Sequence, residues 1–264
     1  MPHRDRDAGH DRASTSSHPH SREAGRRYYK INTLWMAARG TGRGEAALHR
    51  PVWALGVRRR AGALHYVVAE IASKLGLAPT SGRACEDPLP HVLDLGCGVW
   101  GGALWLAANF DVGLTGITLS PTQVRLAEHA VRRRGLVQRC QFIPADFHNL
   151  APLPSVVGAS AIGSFNHASD VARLVRQAAA CLAEGGRLIL VDDFLSDKDS
   201  GASLAERQRT RLAEGWYLSN LTTVDILTSI ASQAGLRLVR RHALTPFLRP
   251  PPHPILDMQL LLAA

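Results

Sequence analysis

Short apolar runs alternate with longer amphipathic stretches between residue 91 and about residue 193. The apolar runs are HVLDL (91–95), VGLTGITL (112–119), CQFIPADF (140–147), VVGASAIG (156–163) and RLILVDD (187–193). Each run has the length of a buried strand, and most of the intervening stretches have the length of a helix. Strands that alternate with helices form a parallel sheet with helices on both faces. The pattern therefore predicts an α/β fold.

Local signals define several helix ends in this region. Ser120 is a natural N-cap, Pro121 stands at the first helical position, and Gln123 stands where a capping box places it. A further helix is predicted for residues 168–182, followed by a turn at Gly185 and Gly186. After residue 200 the pattern predicts two more helices and two late strands, LRLVRRHAL and MQLLLAA.

The first 80 residues divide into two parts. Residues 1–26 contain many Arg, His, Asp and Ser and almost no large apolar side chain, so we expect a disordered tail. Residues 27–80 contain an aromatic, glycine-rich segment and a helical pattern from Gly62 to Leu77, which suits an N-terminal lid or cap. Residues 81–264 then form the main domain.

Composition and charge narrow the range of partners. No apolar run approaches the length of a membrane helix, no secretory leader is visible, and four scattered cysteines form no metal-binding pair, so we expect a cytoplasmic protein without a metal. The net charge of +9 raises the possibility of nucleic-acid binding. The basic residues are almost all dispersed arginines, which favours compositional background.

The turn after the first predicted strand, DLGCGVWGG (94–102), carries the first candidate chemistry. Ligands of open parallel sheets bind at the carboxyl ends of the strands, and Gly96 and Gly98 allow the backbone to approach a ligand closely. The turn lacks the lysine of a phosphate-binding loop and departs from the dinucleotide-binding spacing. A plain tight turn is the alternative interpretation.

A first motif and four later landmarks, in order, resemble the class I S-adenosylmethionine-dependent methyltransferases. VLDLGCGVWGGALWLA resembles their motif I, and GITLSP, PADF, AIGSFNHASD and LAEGGRLILVDD follow at the expected places over residues 91–193. GITLSPTQ and SFNHA resemble the tocopherol, sterol and natural-product methyltransferases, and residues 28–53 resemble the N-terminal cap of those enzymes. The resemblance implies a Rossmann-like sheet of seven mostly parallel strands and S-adenosylmethionine as cofactor.

The resemblance also assigns residues to the cofactor. Asp94 and the turn from Gly96 to Gly98 would hold the methionine portion, Thr118 and Gln123 would hold the ribose hydroxyls, and Asp146 would accept the adenine amine beside Phe147. The full set of expected cofactor residues is Asp94, Gly96, Gly98, Trp100, Thr118, Ser120, Gln123, Asp146 and Phe147.

Two positions depart from the family pattern. Trp100 replaces the third glycine of motif I, and its ring either crowds the cofactor or turns outward and walls the pocket. Gly163 stands where related enzymes often carry a glutamate that assists C-methylation. These departures raise the question of impaired activity, and Gly163 argues against a carbocation mechanism.

Candidate catalytic and substrate residues come from the cap and the fourth strand. His167 is the first candidate for a general base, because histidine titrates near neutral pH; the alternative is that it orients a loop. Tyr28 and His49 are the other catalytic candidates, with a structural role as the alternative for His49. Candidate substrate residues are Tyr29, Trp53, Asn166 and Trp216, and core packing is the alternative for both tryptophans.

These observations predict methyl transfer from S-adenosylmethionine to a nitrogen or oxygen of a small natural-product molecule. One alternative is C-methylation of an isoprenoid or prenyl diphosphate, gripped by the arginines of 58–60 or 132–134. Another is a cofactor-binding partner protein that has lost catalysis, and nucleic-acid methylation is a third. A homodimer is possible, and no membrane partner is expected.

Overall fold

The computed structural model describes residues 49–80, 88–196, 203–216, 218–249 and 256–263. Six α-helices and seven strands lie within these ranges. The helices are α1 (Arg60–Leu75), α2 (Gly101–Asn109), α3 (Pro121–Arg133), α4 (Val171–Cys181), α5 (Ser203–Trp216) and α6 (Val224–Gln233). The strands are β1 (His91–Leu95), β2 (Gly113–Thr118), β3 (Cys140–Pro144), β4 (Val156–Ile162), β5 (Leu182–Leu195), β6 (Leu238–Ala243) and β7 (Leu256–Ala263).

The seven strands form one sheet in the order β3-β2-β1-β4-β5-β7-β6. The first five strands in that order pair in parallel, and β7 runs antiparallel to both β5 and β6. The chain winds outward from β1 to β3 and then returns to place β4 on the other side of β1. The predicted Rossmann-like sheet is therefore confirmed, and its switch point lies between β1 and β4.

Helices cover both faces of the sheet, as predicted. On one face, α4 and α6 bury residues such as Leu174 and Leu227 in a cluster with Leu93 and Leu190. On the other face, α1, α2 and α3 enclose a second cluster. Alternate residues of β1 serve the two faces, so Val92 and Leu93 belong to different clusters. The carboxyl ends of the parallel strands remain between these layers as the open edge.

The prediction that a turn at Gly185 and Gly186 separates α4 from β5 is wrong. β5 begins directly after α4, and the glycines form an irregularity within the strand, where the pairing with β4 shifts between Val156 and Gly158. Gly185 has φ +72°, which a glycine adopts without strain. The extra residues of β5 are thus accommodated as a bulge in the strand.

The described part of the predicted cap packs on the sheet. Helix α1 presents Val67 and Ile71 to β5 and β7, while Val68 and Ala72 pack on the cluster around α2. The strand-like pairing of Val52 with Leu248 ties the segment before α1 to the segment after β6. Residues 1–48, with the predicted tail, Tyr28 and Tyr29, lie outside the described residues. The domain division at residue 80 stays a prediction.

Among the residues that the structure describes, no helix combines the length and the apolar composition needed to cross a membrane.

Candidate active site

The glycine turn after β1 lies at the switch point between β1 and β4, where ligands of open parallel sheets bind in a crevice outside the strand ends. The amides of Gly96 and Cys97 both donate to the carbonyl of Ile117 in β2 at 2.9 Å, so the turn is fastened to the neighbouring strand. Gly96 has φ +79°, and a Cβ there would lie 2.5 Å from Cβ of Ser164. Only glycine therefore allows the β1 and β4 turns to approach this closely. The Ser164 hydroxyl donates to the Leu95 carbonyl at 2.5 Å and joins the two walls.

Asp94 supplies a buried carboxylate beside this turn. Its side chain is 9% exposed, and it has no hydrogen-bond partner among the described residues. Burial raises the pKa of Asp94 to about 7. A carboxylate in such a setting is stabilised when a cationic ligand group binds beside it.

Thr118 connects the end of β2 to the start of α3. Its hydroxyl donates to Oε1 of Gln123 at 2.5 Å and accepts the backbone amide of Ser120 at 3.2 Å. The Ser120 hydroxyl accepts the Gln123 amide, which confirms Ser120 as the N-cap of α3. In a capping box, the Gln123 side chain would accept the backbone amide of Ser120. Here the hydroxyl of Thr118, two residues upstream, accepts that amide instead.

Asp146 and Phe147 follow β3 at the same edge of the sheet. The Phe147 ring is buried and lies 3.8 Å from the Cβ position of Gly96, so this segment borders the glycine turn. Oδ1 of Asp146 accepts two hydrogen bonds from His148, from the backbone amide at 2.9 Å and from Nδ1 at 2.7 Å. The sequence reasoning missed His148, although a histidine two residues after a candidate ligand carboxylate was a signal for such a contact.

Trp100 has a left-handed backbone with φ 63°, which makes it the one non-glycine residue with positive φ among the described residues. This conformation costs an L-residue about 1–2 kcal/mol, so the glycine of the family pattern fits the local geometry better. The Trp100 side chain is partly buried and packs against the cluster that contains Val68 and Leu104. The packing favours the outward orientation over crowding of the turn.

The side of the crevice that the sequence predicts to face the methyl acceptor, here called the acceptor side, contains a short turn, Phe165–His167, held by the end of β5. Asn166 is buried, and Asp192 accepts its backbone amide at 3.1 Å and its Nδ2 at 2.9 Å. Burial raises the pKa of Asp192 to about 7, while the amides of Asp193 and Asn166 oppose the rise. His167 is half-buried and follows directly, with its backbone amide donating to Ser164 at 3.2 Å. Asp192 therefore positions the turn that carries His167.

Asn166 also anchors the segment after α5. Its carbonyl accepts the amides of Ser219 and Asn220, at 2.8 and 3.1 Å. Its Nδ2 donates in addition to the Asp193 carbonyl at 2.8 Å, while its buried Oδ1 has no partner in the described structure. The Asn166 amide nitrogen is thus engaged by the protein, and a direct contact with substrate stays a prediction.

Gly163 leaves space at the position where a glutamate was expected from the family. It has φ +61°, and a Cβ there would meet no atom within 4 Å. Its amide donates to the Val191 carbonyl at 2.8 Å, which holds the β4 end against β5. The crevice at this point is therefore open and without a carboxylate from residue 163.

His49 and Arg50 bring the N-terminal segment to the end of β5. The Arg50 guanidinium forms an ion pair with Asp193. Nδ1 of His49 contacts the Arg50 carbonyl at 3.2 Å, and burial lowers the pKa of His49, helped by the nearby His65. Nε2 of His49 is buried without a partner among the described residues. Sequence reasoning missed Arg50, since nothing local links it to a residue so far along the chain.

The two candidate tryptophans have different surroundings. The Trp53 amide donates to the Phe247 carbonyl at 2.7 Å, and the Arg249 guanidinium lies 5.8 Å from the Trp53 ring centre. Trp216, at the end of α5, is 65% exposed, so the core-packing alternative is wrong for that residue. A role for either ring in substrate binding stays a prediction.

The described site residues fit S-adenosylmethionine as the predicted cofactor. Asp94 provides a buried, unpaired carboxylate for an ammonium group, and glycine at position 96 allows the adjoining turn to approach Ser164, where a Cβ would clash. Thr118 and Gln123 place hydroxyl and amide groups at the end of the neighbouring strand, where ribose hydroxyls are expected. The donors are oxygen and nitrogen groups suited to an organic ligand.

Comparisons with known proteins agree with this geometry. Residues 93–190 match a methyltransferase domain. The chain is 28% identical over 187 residues to an O-methyltransferase of Pyrenophora dematioidea, covering 69% of this chain and 67% of that protein. It is 31% identical over 161 residues to the 27-O-demethylrifamycin SV methyltransferase of Amycolatopsis mediterranei, covering 61% of this chain and 58% of that protein.

A solved structure with the same fold is the [4+2]-cyclase SpnF, with a TM-score of 0.73, 22% identity, and coverage of 93% of this chain and 96% of that chain. The chain spans about 52–67% of the length of three curated O-methyltransferases that it matches. These matches favour neither the C-methylating nor the non-catalytic alternative. The sheet order, the crevice at the β1/β4 switch point and the match of residues 93–190 to a methyltransferase domain agree with the predicted resemblance to the class I S-adenosylmethionine-dependent methyltransferases.

Proposed function

We propose that the protein transfers a methyl group from S-adenosylmethionine to an oxygen or nitrogen atom of a small natural-product molecule. The observation that carries the proposal is the crevice at the switch point, where Asp94 and the Gly96 turn stand opposite the turn that carries His167. S-adenosylmethionine, when bound, supplies a methyl group on a positively charged sulfur. The names of the matched O-methyltransferases support this acceptor chemistry.

The cofactor side has residues for recognition and exclusion of water. Asp94 would hold the cationic amino group, Thr118 and Gln123 would accept the ribose, and Asp146 would accept the adenine amine. Phe147 is buried beside the turn, so its ring would help to exclude water from the crevice. Exclusion of water protects the methyl donor and strengthens the contact of Asp94 with its cation.

The acceptor side has a candidate general base, His167, and a residue that positions it, Asp192. His167 would take the proton from the acceptor hydroxyl or amine as the new bond to carbon forms. Asp192 fixes the His167 turn through two hydrogen bonds to Asn166. The open space at Gly163 favours oxygen or nitrogen acceptors, which need a base for their proton and no carboxylate to stabilise a carbon cation.

The proposal includes a small organic partner and excludes nucleic acid. Arg58–Arg60 and Arg132–Arg134 are all exposed. This exposure is expected for solvated helix ends, and it supports neither a diphosphate-binding site nor a nucleic-acid-binding groove. Absence of retention on heparin at physiological salt is the expected result, and retention would contradict this part. A homodimer and a cytoplasmic location stay predictions.

Calorimetric titration with S-adenosylhomocysteine tests the cofactor site. We expect micromolar binding to the wild type, and a loss of more than about tenfold in Asp94→Ala, because a buried charge contact is removed. Asp225→Asn, an exposed aspartate on α6, is the matched control and should bind like the wild type. Equal affinity of Asp94→Ala and the wild type would contradict the assignment of Asp94.

A methyl-labelled cofactor tests the acceptor chemistry. Phenols, alcohols and amines of natural-product type are screened, and the labelled product is mapped by mass spectrometry and NMR. We expect the label on oxygen or nitrogen, with turnover lowered about 10²–10⁴-fold in His167→Ala if His167 is the general base. Label on carbon, or no turnover with any class despite tight cofactor binding, would contradict the proposed reaction.

A further inference from the structure

The segment after β3 is connected to the N-terminus of α4 through a single histidine. His148 contacts Asp146 with its backbone amide and its ring, as described above, and the amide of Asp170, the N-cap of α4, donates to Nε2 of His148 at 3.3 Å. Nε of Arg173 donates to the His148 carbonyl at 2.6 Å. The ring is thus held between a carboxylate on one side and a helix start on the other.

The directions of these hydrogen bonds fix the tautomer of His148. A backbone amide can only donate, so Nε2, which contacts the Asp170 amide, must carry a lone pair. The ring proton therefore lies on Nδ1, which is 2.7 Å from Oδ1 of Asp146 and donates to it. His148 is a neutral ring in this arrangement, with its donor aimed at the carboxylate.

The two hydrogen bonds from His148 determine the orientation of the Asp146 carboxylate. Both converge on Oδ1, and the side chains of Asp146 and His148 are 17% and 13% exposed, so little water competes for these contacts. The adjacent Phe147 ring stands at 61° to the His148 ring, with 4.9 Å between centroids, and borders the glycine turn. The carboxylate is therefore preorganised at the crevice before any ligand binds.

We propose that His148 is a positioning residue that sets the specificity of the protein for adenine. This inference rests on the proposed function, in which Asp146 accepts the adenine amine. A carboxylate held in one orientation accepts an amine and repels a carbonyl at the same place, so the fixed Asp146 discriminates adenine from its deaminated counterpart. Without the His148 ring, Asp146 loses one of the hydrogen bonds that fix its orientation, and the discrimination declines.

The tautomer is tested directly on the wild-type chain. Selective ¹⁵N labelling of histidine and NMR of the ring nitrogens should give a protonated Nδ1 and an unprotonated Nε2 for His148, assigned by comparison with His148→Asn. This readout needs neither the cofactor nor an acceptor. A proton on Nε2 in place of Nδ1 would overturn the arrangement on which the proposal depends.

The specificity is tested by the ratio of two dissociation constants. S-adenosylhomocysteine and S-inosylhomocysteine, in which a carbonyl replaces the amine, are titrated into the wild type and into His148→Ala, His148→Asn and His148→Gln. We expect the wild type to prefer the adenine compound by about tenfold or more, since one charge-assisted hydrogen bond is exchanged for a repulsion. His129→Ala, an exposed histidine on α3, is the control and should keep that ratio.

The variants separate positioning from a general loss of structure. The side-chain amide of Asn can imitate Nδ1–H, whereas that of Gln lies nearer the place of Nε2, so His148→Asn should retain most of the preference and His148→Gln should lose it. An unchanged ratio in both His148→Ala and His148→Gln would overturn the proposal. Should His148→Ala fail to fold, the Asn and Gln pair still decides the question.

Asp146→Asn distinguishes this inference from the proposed function. Loss of the adenine preference in Asp146→Asn, with the preference intact in His148→Gln, would leave the cofactor assignment standing and refute the role of His148. An unchanged ratio in Asp146→Asn would refute the adenine assignment itself, whatever the His148 variants do.

Discussion

The contacts that hold each side of the crevice in place differ in how far apart their partners lie along the sequence. On the cofactor side, Thr118 contacts a residue five positions away, and Asp146 contacts one two positions away. On the acceptor side, Asn166 and Asp192 are 26 positions apart, and Arg50 and Asp193 are 143 apart. The contacts of Thr118 and Asp146 thus lie within single strand–turn–helix units, although the glycine turn is also joined to Ser164, 69 positions from Leu95. The Asn166–Asp192 and Arg50–Asp193 contacts of the acceptor side both join distant segments.

Because of this difference, we expect the two sides to be sensitive to different substitutions. A local contact forms wherever its own segment folds, so the cofactor side should tolerate changes elsewhere in the molecule. A long-range contact is lost when either segment shifts, so the acceptor side can be altered without loss of cofactor binding. Substitutions that affect one side alone should therefore exist for both, and the following four test that separation.

Gly96→Ala should have the largest effect, because it should lower both the stability of the fold and the affinity for the cofactor. The new Cβ would lie 2.5 Å from the Cβ of Ser164, and the backbone has φ +79°. We expect destabilisation of about 2–4 kcal/mol and a loss of S-adenosylhomocysteine affinity of more than about tenfold, measured by thermal unfolding and calorimetry. Gly235→Ala has φ +80° in open space and should lose only about 1 kcal/mol. Equal losses in the two variants would show that the close approach to Ser164 has no role.

Asp192→Asn should disturb the acceptor side and leave the cofactor side intact. One of the oxygens that accept from Asn166 becomes a donor, so a loss of about 1–3 kcal/mol in unfolding free energy is expected. Hydrogen exchange should become faster at residues 165–167 and stay unchanged at residues 146–148, with S-adenosylhomocysteine affinity within about twofold of the wild type. Faster exchange in both segments would contradict the independence of the two sides.

Asp94→Asn should separate stability from binding as the pH changes. Because the folded pKa of Asp94 is about 7, above its ordinary value near 4, the folded protein retains a proton that the unfolded chain releases, and stability falls as the pH rises between these values. Asparagine removes this dependence.

We expect Asp94→Asn to be more stable than the wild type by about 1–4 kcal/mol at pH 8 and to lose that advantage as the pH falls towards 4. Thermal unfolding across this range is the measurement. Cofactor binding to the wild type should weaken below pH 7 as the carboxylate is protonated. An advantage of Asp94→Asn that grows at low pH would contradict the assigned direction.

Trp100→Gly should have the smallest effect on the cofactor side. The strained backbone is relieved, but the contacts of the ring with the Val68 and Leu104 cluster are lost, so the two changes oppose each other. We expect S-adenosylhomocysteine affinity within about threefold of the wild type, since the ring packs outward. An increase of about tenfold or more would show that the ring crowds the crevice after all.

The sequence separation of the contacts also explains which features could be predicted from the sequence. The parallel sheet, the Gly96 turn and the Ser120 N-cap follow from local patterns and are confirmed. The bulge at Gly185 was read as a turn, because a glycine pair has the same local signature in both settings. The Arg50–Asp193 ion pair and the hydrogen bonds from Asn166 to Asp192 join distant segments, and no local pattern specifies such pairs.

The pairing of Val52 with Leu248 has a consequence for the order of folding. These residues lie near opposite ends of the described chain, so the contact cannot form until the ribosome has made both of them. The strands from β1 to β5 can associate earlier through nearer contacts. The segment that carries His49 and Arg50 would then dock late, which means that a newly made chain acquires its cofactor side first and completes its acceptor side last.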